Sequence, residues 1–285
     1  MDIETARTFL EIVSCGSFVA AAQRLHITQT AVSARIRGLE QQLGRPLFVR
    51  NKAGARLTVE GERFVRHATS LVQNWERARQ QIALPAGRDE GLHVGAESAI
   101  WDPLLADWLI WMQRECPTVA LHADIEAPQR LLDRVDDGSL DLAVLYNPSP
   151  RPGLVRELLV EEKLVMVTTD RSGQVTPEHY VHVDWGREMQ LNLQAALPEW
   201  PRPPVSISLG PLALAYVLGV GGSGYFRAGI VAPFIERGEL FPVPGAPAFS
   251  HAACVVYAAQ DERPLLTRAR EGFRAVVTQE KNPFA

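Results

Sequence analysis

Cysteine is scarce in this chain: Cys15, Cys116 and Cys254 stand far apart among 285 residues, with no CxxC pair. That spacing excludes a disulfide framework or a cysteine zinc module and fits reduced thiols buried as small apolar groups. Long apolar runs are missing too. No stretch approaches the roughly 20 residues that a membrane-spanning helix needs. The opening MDIETARTFL is acidic and has no apolar run before a small-residue cleavage site, so it does not read as a secretory leader. The expected location is cytoplasmic, with no membrane partner. Catalytic signatures are equally thin. GxxxxGK[ST], GxSxG and HExxH do not occur, and GGSG at 221–224 lacks the strand-to-helix context of a nucleophile. His179 and His182 stand three apart, which on a strand turns them to opposite faces and makes a poor metal site. No enzyme, metal or cofactor is expected. No repeat or low-complexity tract interrupts a chain that is 46% hydrophobic and long enough for two or three domains.

What is present centres on Phe18–Leu43. Phe18, Ala21, Ala22 and Leu25 recur at helical spacing behind Ser17, a good N-cap. His26-Ile27-Thr28 breaks the pattern, with Ile27 apolar enough to plug the gap and Thr28 placed to cap a second helix. Val32, Ile36, Leu39 and Leu43 form the inward stripe of that helix. Gln29, Thr30, Ser33 and Arg37 are left facing outward, with Arg35 on the flank. Amides, hydroxyls and guanidinium groups of this kind can read base edges in a major groove, the second helix reading and the first bracing it. An ordinary helical hairpin with a polar face gives the same pattern.

Charge separates the two readings. Between Phe18 and Thr58 stand Arg24, Arg35, Arg37, Arg45, Arg50, Lys52 and Arg56 against the single acid Glu40. Residues 1–90 carry a net +4 and residues 91–285 a net −8. A basic module on an acidic body is the footprint of phosphate contact. Nucleic-acid binding is therefore the favoured reading.

Ile3, Ala6, Phe9, Leu10 and Val13 supply a first amphipathic helix ended at Cys15-Gly16. After Gly44-Arg45-Pro46, PLFVR (46–50) and ARLT (55–58) read as a short hairpin, a wing whose Arg50, Lys52 and Arg56 can lie on phosphates or in the minor groove. A solvated surface hairpin is the bland alternative. Thr58 caps a long helix whose Phe64, Ala68, Leu71, Trp75, Ala78 and Ile82 alternate four and three, a heptad seam. A lone helix of that length is marginal in water, so the seam wants a partner: its twin in a second subunit or the next domain of the same chain. Beyond the hinge at 85–91, strand-like segments (92–96, 119–125, 140–146, 164–169, 180–185, 205–210, 253–259) alternate with helical ones near 100–115, 128–138, 187–197, 211–220, 228–238 and 264–280. That alternation predicts a doubly wound α/β fold binding its ligand at strand carboxyl ends.

GSFVAAAQRLHITQTAVSARIRGLEQQLGRPLF, followed by RLTVEG, resembles the LysR-type transcriptional regulators over the first 84 or so residues. DGSLDLAVLY and GVGGSGYFR extend the resemblance more weakly, the latter where the family has a Gly-rich turn ending in Pro-Arg. Within the family, GAESAIW and VDWG are similar to the HdfR-like subgroup. The resemblance implies an α/β protein with a winged helix-turn-helix (1–58), a dimerising linker helix and hinge (59–90) and a two-lobed, periplasmic-binding-protein-like effector domain (91–285). Its lobes would be 91–163 plus 264–285, and 164–263. Implied partners are double-stranded DNA, a second copy of the chain as dimer or tetramer, a small organic effector and RNA polymerase. Carried over, the base-reading positions are Gln29, Thr30 and Ser33. Many relatives have Pro at Thr30 and Arg at Ala34, and Arg35 would supply the missing guanidinium. Phe226 replaces the usual Pro of the Gly-rich segment.

Strand ends and helix starts nominate the effector site: Ser98, Ala99, Trp101, Ala127, Tyr146, Trp185, Gly210 and Tyr225. Ser98 leads, because its hydroxyl can stand beside free N–H donors. The four aromatics offer walls for a flat apolar ligand, although each is equally at home in a core. Glu97 beside Ser98 speaks against a simple carboxylate. Competing readings are an effector-independent regulator, a redox regulator pairing Cys116 with Cys254, an enzyme, and an exported transport-type binding protein. Neither an enzyme nor an exported binding protein explains the basic amino-terminal module.

Overall fold

Four short polar side chains start the first four helices. Asp2 accepts from the Thr5 N–H (2.7 Å) to open α1 (Ile3–Cys15), and Ser17 accepts from Val19 and Ala20 to open α2 (Phe18–Arg24). Thr28 accepts from Ala31 (3.1 Å) before α3 (Gln29–Leu43), and Thr58 from Gly61 (2.9 Å) before α4 (Val59–Ile82). Each satisfies a donor the helix cannot. Gly16 and Gly44 close α1 and α3 in the left-handed conformation. Strands β1 (Phe48–Asn51) and β2 (Gly54–Leu57) pair antiparallel, with Phe48 opposite Leu57. These coordinates are a computed structural model that describes residues 2–51, 54–196 and 203–280, without the side chains of residues 50, 51, 101, 102, 279 and 280.

The described residues fall into two compact units: Met1–His93 with Thr118–His122 and Leu132–Asp141, and Val94–Pro117 with Ala123–Leu131 and Leu142–Ala285. The core of the first is the apolar side of the helix-turn-helix. Phe9, Ile12, Phe18, Val32, Ile36 and Leu39 are buried, and the Phe9 ring lies 5.2 Å from Phe48 and 5.0 Å from Phe64. Ile27 packs against this core from the turn, as its position predicts. Gly61 lies so close to the Leu47 carbonyl that a Cβ there would come within 2.2 Å of its oxygen. The start of α4 is thereby clamped to the wing.

The heptad stripe of α4 divides. Phe64 and Ala68 join the helix-turn-helix core, whereas Leu71, Trp75 and Ile82 remain 39%, 47% and 87% exposed. Val72 joins the same core, and α4 also buries Gln73 and Glu76; Gln73 donates to the Asp136 carbonyl (3.0 Å), and Glu76 pairs with Arg7.

Beyond α4 come β3 (Glu90–Ala96), a π turn (Trp101–Leu105), α5 (Ala106–Glu115), β4 (Val119–Ile125), α6 (Pro128–Asp137), β5 (Leu142–Tyr146) and β6 (Leu154–Thr168). Then follow β7 (Val181–Val183), α7 (Arg187–Ala196), β8 (Val205–Ile207), α8 (Gly210–Val220), β9 (Ser223–Arg227) and α9 (Ala228–Glu236). The chain continues through β10 (Phe241–Pro242) and β11 (Phe249–Ala258) to α10 (Pro264–Glu280). Seven strands form one sheet in the order β10-β6-β11-β5-β3-β4, with β9 also on β6. β3 and β5 are parallel, whereas β11 runs antiparallel to both β5 and β6. Leu154–Leu164 of β6 pairs β11 and Leu164–Thr168 pairs β9, so one long strand bridges both parts of a curled, two-lobed α/β fold. β7 and β8 form a small parallel pair.

Three local expectations change. The strand expected over 164–169 begins at Leu154, because its first half alternates charged and apolar residues along a half-exposed face. SGYFR is not a turn but the fully buried strand β9, which Gly221 and Gly222 enter at positive φ. The strand expected from Leu140 starts at Leu142, and Asp141 just before it accepts from the His93 N–H through its side chain (2.8 Å). Among the described residues no helix is long and apolar enough to cross a membrane.

Candidate functional site

The outward face of α3 is the first site. Gln29, Thr30 and Arg37 are exposed, Ser33 is half-buried between them, and the inward Val32, Ile36 and Leu39 are at most 2% exposed. Arg37 lies along the helix, its Nε donating to the Ser33 carbonyl (3.2 Å). Arg35 points elsewhere: its guanidinium donates to the buried Thr8 hydroxyl of α1 (3.0 Å). Glu40, the lone acid of the basic stretch, accepts from the Leu47 and Phe48 N–H groups at 2.8 and 3.2 Å and anchors the entry to β1. That carboxylate is occupied by backbone donors instead of facing the basic surface. Arg56 is exposed on β2. Ala55 N–H donates to the Gly16 carbonyl (2.8 Å), tying the wing to the end of α1. Lys52 lies outside the described residues, and so does the side chain of Arg50. The helix thus presents amide, hydroxyl and guanidinium groups outward from a side whose other face is fully committed to packing.

A second site lies in the second unit, where parallel strands end together. Glu97, Ser98 and Ala99 follow β3, Glu126 and Ala127 follow β4, Tyr146 ends β5, Asp184 and Trp185 follow β7, and Ser208 follows β8. They enclose a cavity of about 550 Å³. His251 of β11 completes the wall. Its ring stacks on Tyr146 with centroids 3.7 Å apart and meets Trp185 edge-on at 5.5 Å. Trp185 is held by its Nε1–H, which donates to the Tyr225 carbonyl (2.9 Å), and by Gly210, where a Cβ would come within 2.8 Å of the indole. Behind that indole a second, apolar cavity of about 390 Å³ is lined by Ala99, Gly210, Leu214, Leu218, Phe226 and Ile230 among others.

The electrostatics follow from burial. Glu97 accepts from the Tyr146 N–H (2.8 Å), yet desolvation pushes its pKa up to about 7. His251 moves the other way, down to about 4, because burial and then the nearby Arg227 disfavour a second positive charge. It is therefore a neutral imidazole at physiological pH. Arg227, 6% exposed, reaches the Tyr146 hydroxyl (3.2 Å) and Glu162 (3.6 Å), and the same hydroxyl donates to Glu162 at 2.5 Å. Burial drives the Tyr146 pKa well up, so the phenol stays protonated.

Of the predicted ligand positions, Ser98, Ala99, Ala127, Tyr146 and Trp185 line the first cavity, and Gly210 lines the second. Tyr225 is placed otherwise: it is 1% exposed and donates its hydroxyl to the Pro247 carbonyl (3.0 Å) within a neighbouring core. The Trp101 side chain lies outside the described residues. His251 is a wall residue that the strand-end rule does not nominate. A larger cavity, about 720 Å³, lies against the last turns of α4. Its wall combines the largely exposed Ile82 with Glu76, Arg79, His93 and Arg134.

Comparison with known proteins decides the family. Residues 3–62 match the bacterial regulatory helix-turn-helix of the lysR family, and residues 85–278 match the LysR substrate binding domain. The chain belongs to the LysR family of transcriptional regulators. Among its relatives, the regulator HdfR of Yersinia enterocolitica is 30% identical over 79% of this chain and 80% of its own length. Two LysR-family structures share the fold. LysG of Corynebacterium glutamicum, solved with its effector Arg bound, has a TM-score of 0.61 at 18% identity, covering 98% of this chain and 99% of its own. ArgP of Mycobacterium tuberculosis has a TM-score of 0.59 at 22% identity, covering 98% of both chains. As a LysR-type regulator, the chain combines a DNA-binding helix-turn-helix with an effector-binding domain.

Proposed function

We propose that Gln29, Thr30 and Ser33 of α3 read base edges in the major groove while Arg37 and the wing residues Arg50, Lys52 and Arg56 sit on phosphates. The observation that carries this reading is the division of α3 itself: a polar, basic outward face on a helix whose inward stripe is fully buried. Arg35, turned onto Thr8, serves as a brace between α3 and α1. The cavity at Glu97 and Tyr146 holds a small organic effector with an apolar portion. Leu71, Trp75 and Ile82 of α4, uncovered within one chain, meet their counterparts in a second copy. Two recognition helices then face two half-sites. In this reading residues 1–58 bind DNA, 59–90 dimerise and 91–285 respond to effector. The regulator acts in the cytoplasm, where RNA polymerase shares its promoter DNA. A redox-responsive mechanism is disfavoured by burial of Cys254, which pushes its thiol pKa up and lowers its reactivity.

The test is selection of genomic fragments by the purified chain, with Gln29→Ala and Ser33→Ala controls. Enrichment of a few sites with a two-fold-related motif, lost in the controls, is the expected result. Uniform recovery that fades with salt would refute sequence-specific reading.

A further inference from the structure

The lining of the Glu97 cavity has a one-sided charge. Three carboxylates face it, Glu97, Glu126 and Asp184, and among the described residues no Lys or Arg belongs to its wall. The cations nearby are already engaged by other groups. Arg130 reaches Glu126 at 2.7 Å from an exposed position, and the buried Arg227 is held by Glu162 and the Tyr146 hydroxyl. Glu97 is left with one backbone donor in a site that has stripped much of its water. A carboxylate so placed is stabilised by an incoming cation and opposed by an incoming anion.

A second observation is independent of the acids. His251 lines the same cavity at 2% exposure, and its Nε2 is buried without a hydrogen-bond partner. Native interiors rarely leave such an atom unmatched unless something else completes it. In the tautomer with its proton on Nδ1, Nε2 is a lone-pair acceptor that an incoming N–H donor would complete. The indole of Trp185 beside it attracts positive charge through its π system. Past Trp185 the wall is largely apolar: Leu214, Leu218, Phe226 and Ile230 line the second cavity together with Arg227, whose guanidinium is already engaged by Glu162 and the Tyr146 hydroxyl, and it shares Ala99 and Trp185 with the first.

From this juxtaposition we infer that the effector is an amphipathic organic cation. Its ammonium or guanidinium head sits among Glu97, Glu126, Asp184 and His251 Nε2, and its apolar body extends past Trp185 into the second cavity. The inference rests on the cavity being the effector site and adds the chemical class.

The full-length chain is titrated with arylalkyl ammonium ions of graded chain length, with 2-phenylethylammonium at the centre. The isosteric alcohol 2-phenylethanol and the anion 3-phenylpropanoate serve as comparisons. Calorimetry and melting temperature are the readouts. The expected result is binding of the ammonium series in preference to both comparisons. Affinity should fall about ten- to a hundred-fold in Glu97→Gln, as loss of one charge-assisted hydrogen bond implies. A smaller loss in His251→Phe would agree. Tighter binding of the carboxylate or the alcohol overturns the cationic class while leaving the cavity as an effector site. Unchanged affinity in Glu97→Gln overturns the placement of the head. If no member binds, the class is wrong; titration with a broad metabolite panel then tells whether the effector reading falls with it.

Discussion

The face of α3 and the cavity at Glu97 are both polar sites, and they are built in opposite ways. The first gathers Gln29, Thr30, Ser33 and Arg37 from two turns of one helix, exposed and basic. The second gathers Glu97, Glu126, Tyr146, Asp184, Ser208 and His251 from six separate strands, partly desolvated and acidic. A face on one helix needs only that helix to be packed from behind. A pocket at converging strand ends needs the sheet. The first can lose a side chain and keep its shape; the second stores its function in burial, and its groups titrate abnormally because of it.

The largest effect should come from removing the packing behind α3. Phe9 is fully buried among Phe48, Phe64 and the inward stripe, so Phe9→Ala should cost about 3–5 kcal/mol by urea denaturation. Specific DNA binding should be lost with it. An unchanged denaturation midpoint would mean that the recognition face is not held by this core.

The pocket answers to pH instead. Glu97 has a folded pKa of about 7 against an ordinary 4.5. Below the lower value it is protonated in both states and costs nothing. As pH rises between the two, the unfolded chain ionises first and stability falls; above about 7 the penalty is complete, at most about 3 kcal/mol. The Tyr146 N–H, Glu126, Asp184 and the neutral His251 share the same wall. Glu97→Gln should flatten melting temperature against pH between about 5 and 7 and raise it above 7. A slope identical in the two proteins would place the titration elsewhere.

The same contrast explains which features are legible in the sequence. Caps at Ser17, Thr28 and Thr58, the plug at Ile27 and the split of α3 into two faces are local, and helical spacing carries them. The strand-end rule finds most of the pocket wall as well, because β3, β4, β5, β7 and β8 all deliver their carboxyl ends there. It misses His251 for a geometric reason. β11 runs antiparallel to β5, so it brings its amino-terminal end to the edge where its neighbours bring their carboxyl ends. Nothing in the local sequence announces that reversal. Tyr225 shows the converse. SGYFR reads as a Gly-rich turn, yet it continues the sheet as β9, and its tyrosine points into a core. Likewise the regular seam of α4 carries no sign that Phe64 and Ala68 are claimed by the helix-turn-helix, leaving only its later positions uncovered.

On the reading face of α3, Gln29→Ala and Ser33→Ala should each cost about 1–3 kcal/mol of discrimination between the preferred site and a base-substituted one. Melting temperature should move little, since Gln29 is exposed and Ser33 is only half-buried. Competition binding against single-base variants makes the measurement. If affinity for every sequence fell equally, these residues would be positioning the helix and not reading bases.

The smallest effect is the sharpest, because it separates two arginines two positions apart. Arg37 is exposed and its Nε bonds back to its own helix, so in Arg37→Ala the salt dependence of DNA binding should lose about one unit of slope while stability holds. Arg35 is spent on Thr8, a fully buried hydroxyl of α1. Arg35→Ala should leave the salt slope alone and cost about 1 kcal/mol of stability, the ordinary worth of an intramolecular hydrogen bond. Thr8→Val in the same background then removes only the hydroxyl's remaining bond to the Glu4 carbonyl (2.6 Å), so its further cost should be smaller than in the wild-type background. The opposite assignment, slope lost with Arg35 and stability lost with Arg37, would mean that Arg35 leaves Thr8 when DNA arrives, and the flank of α3 would join its reading face.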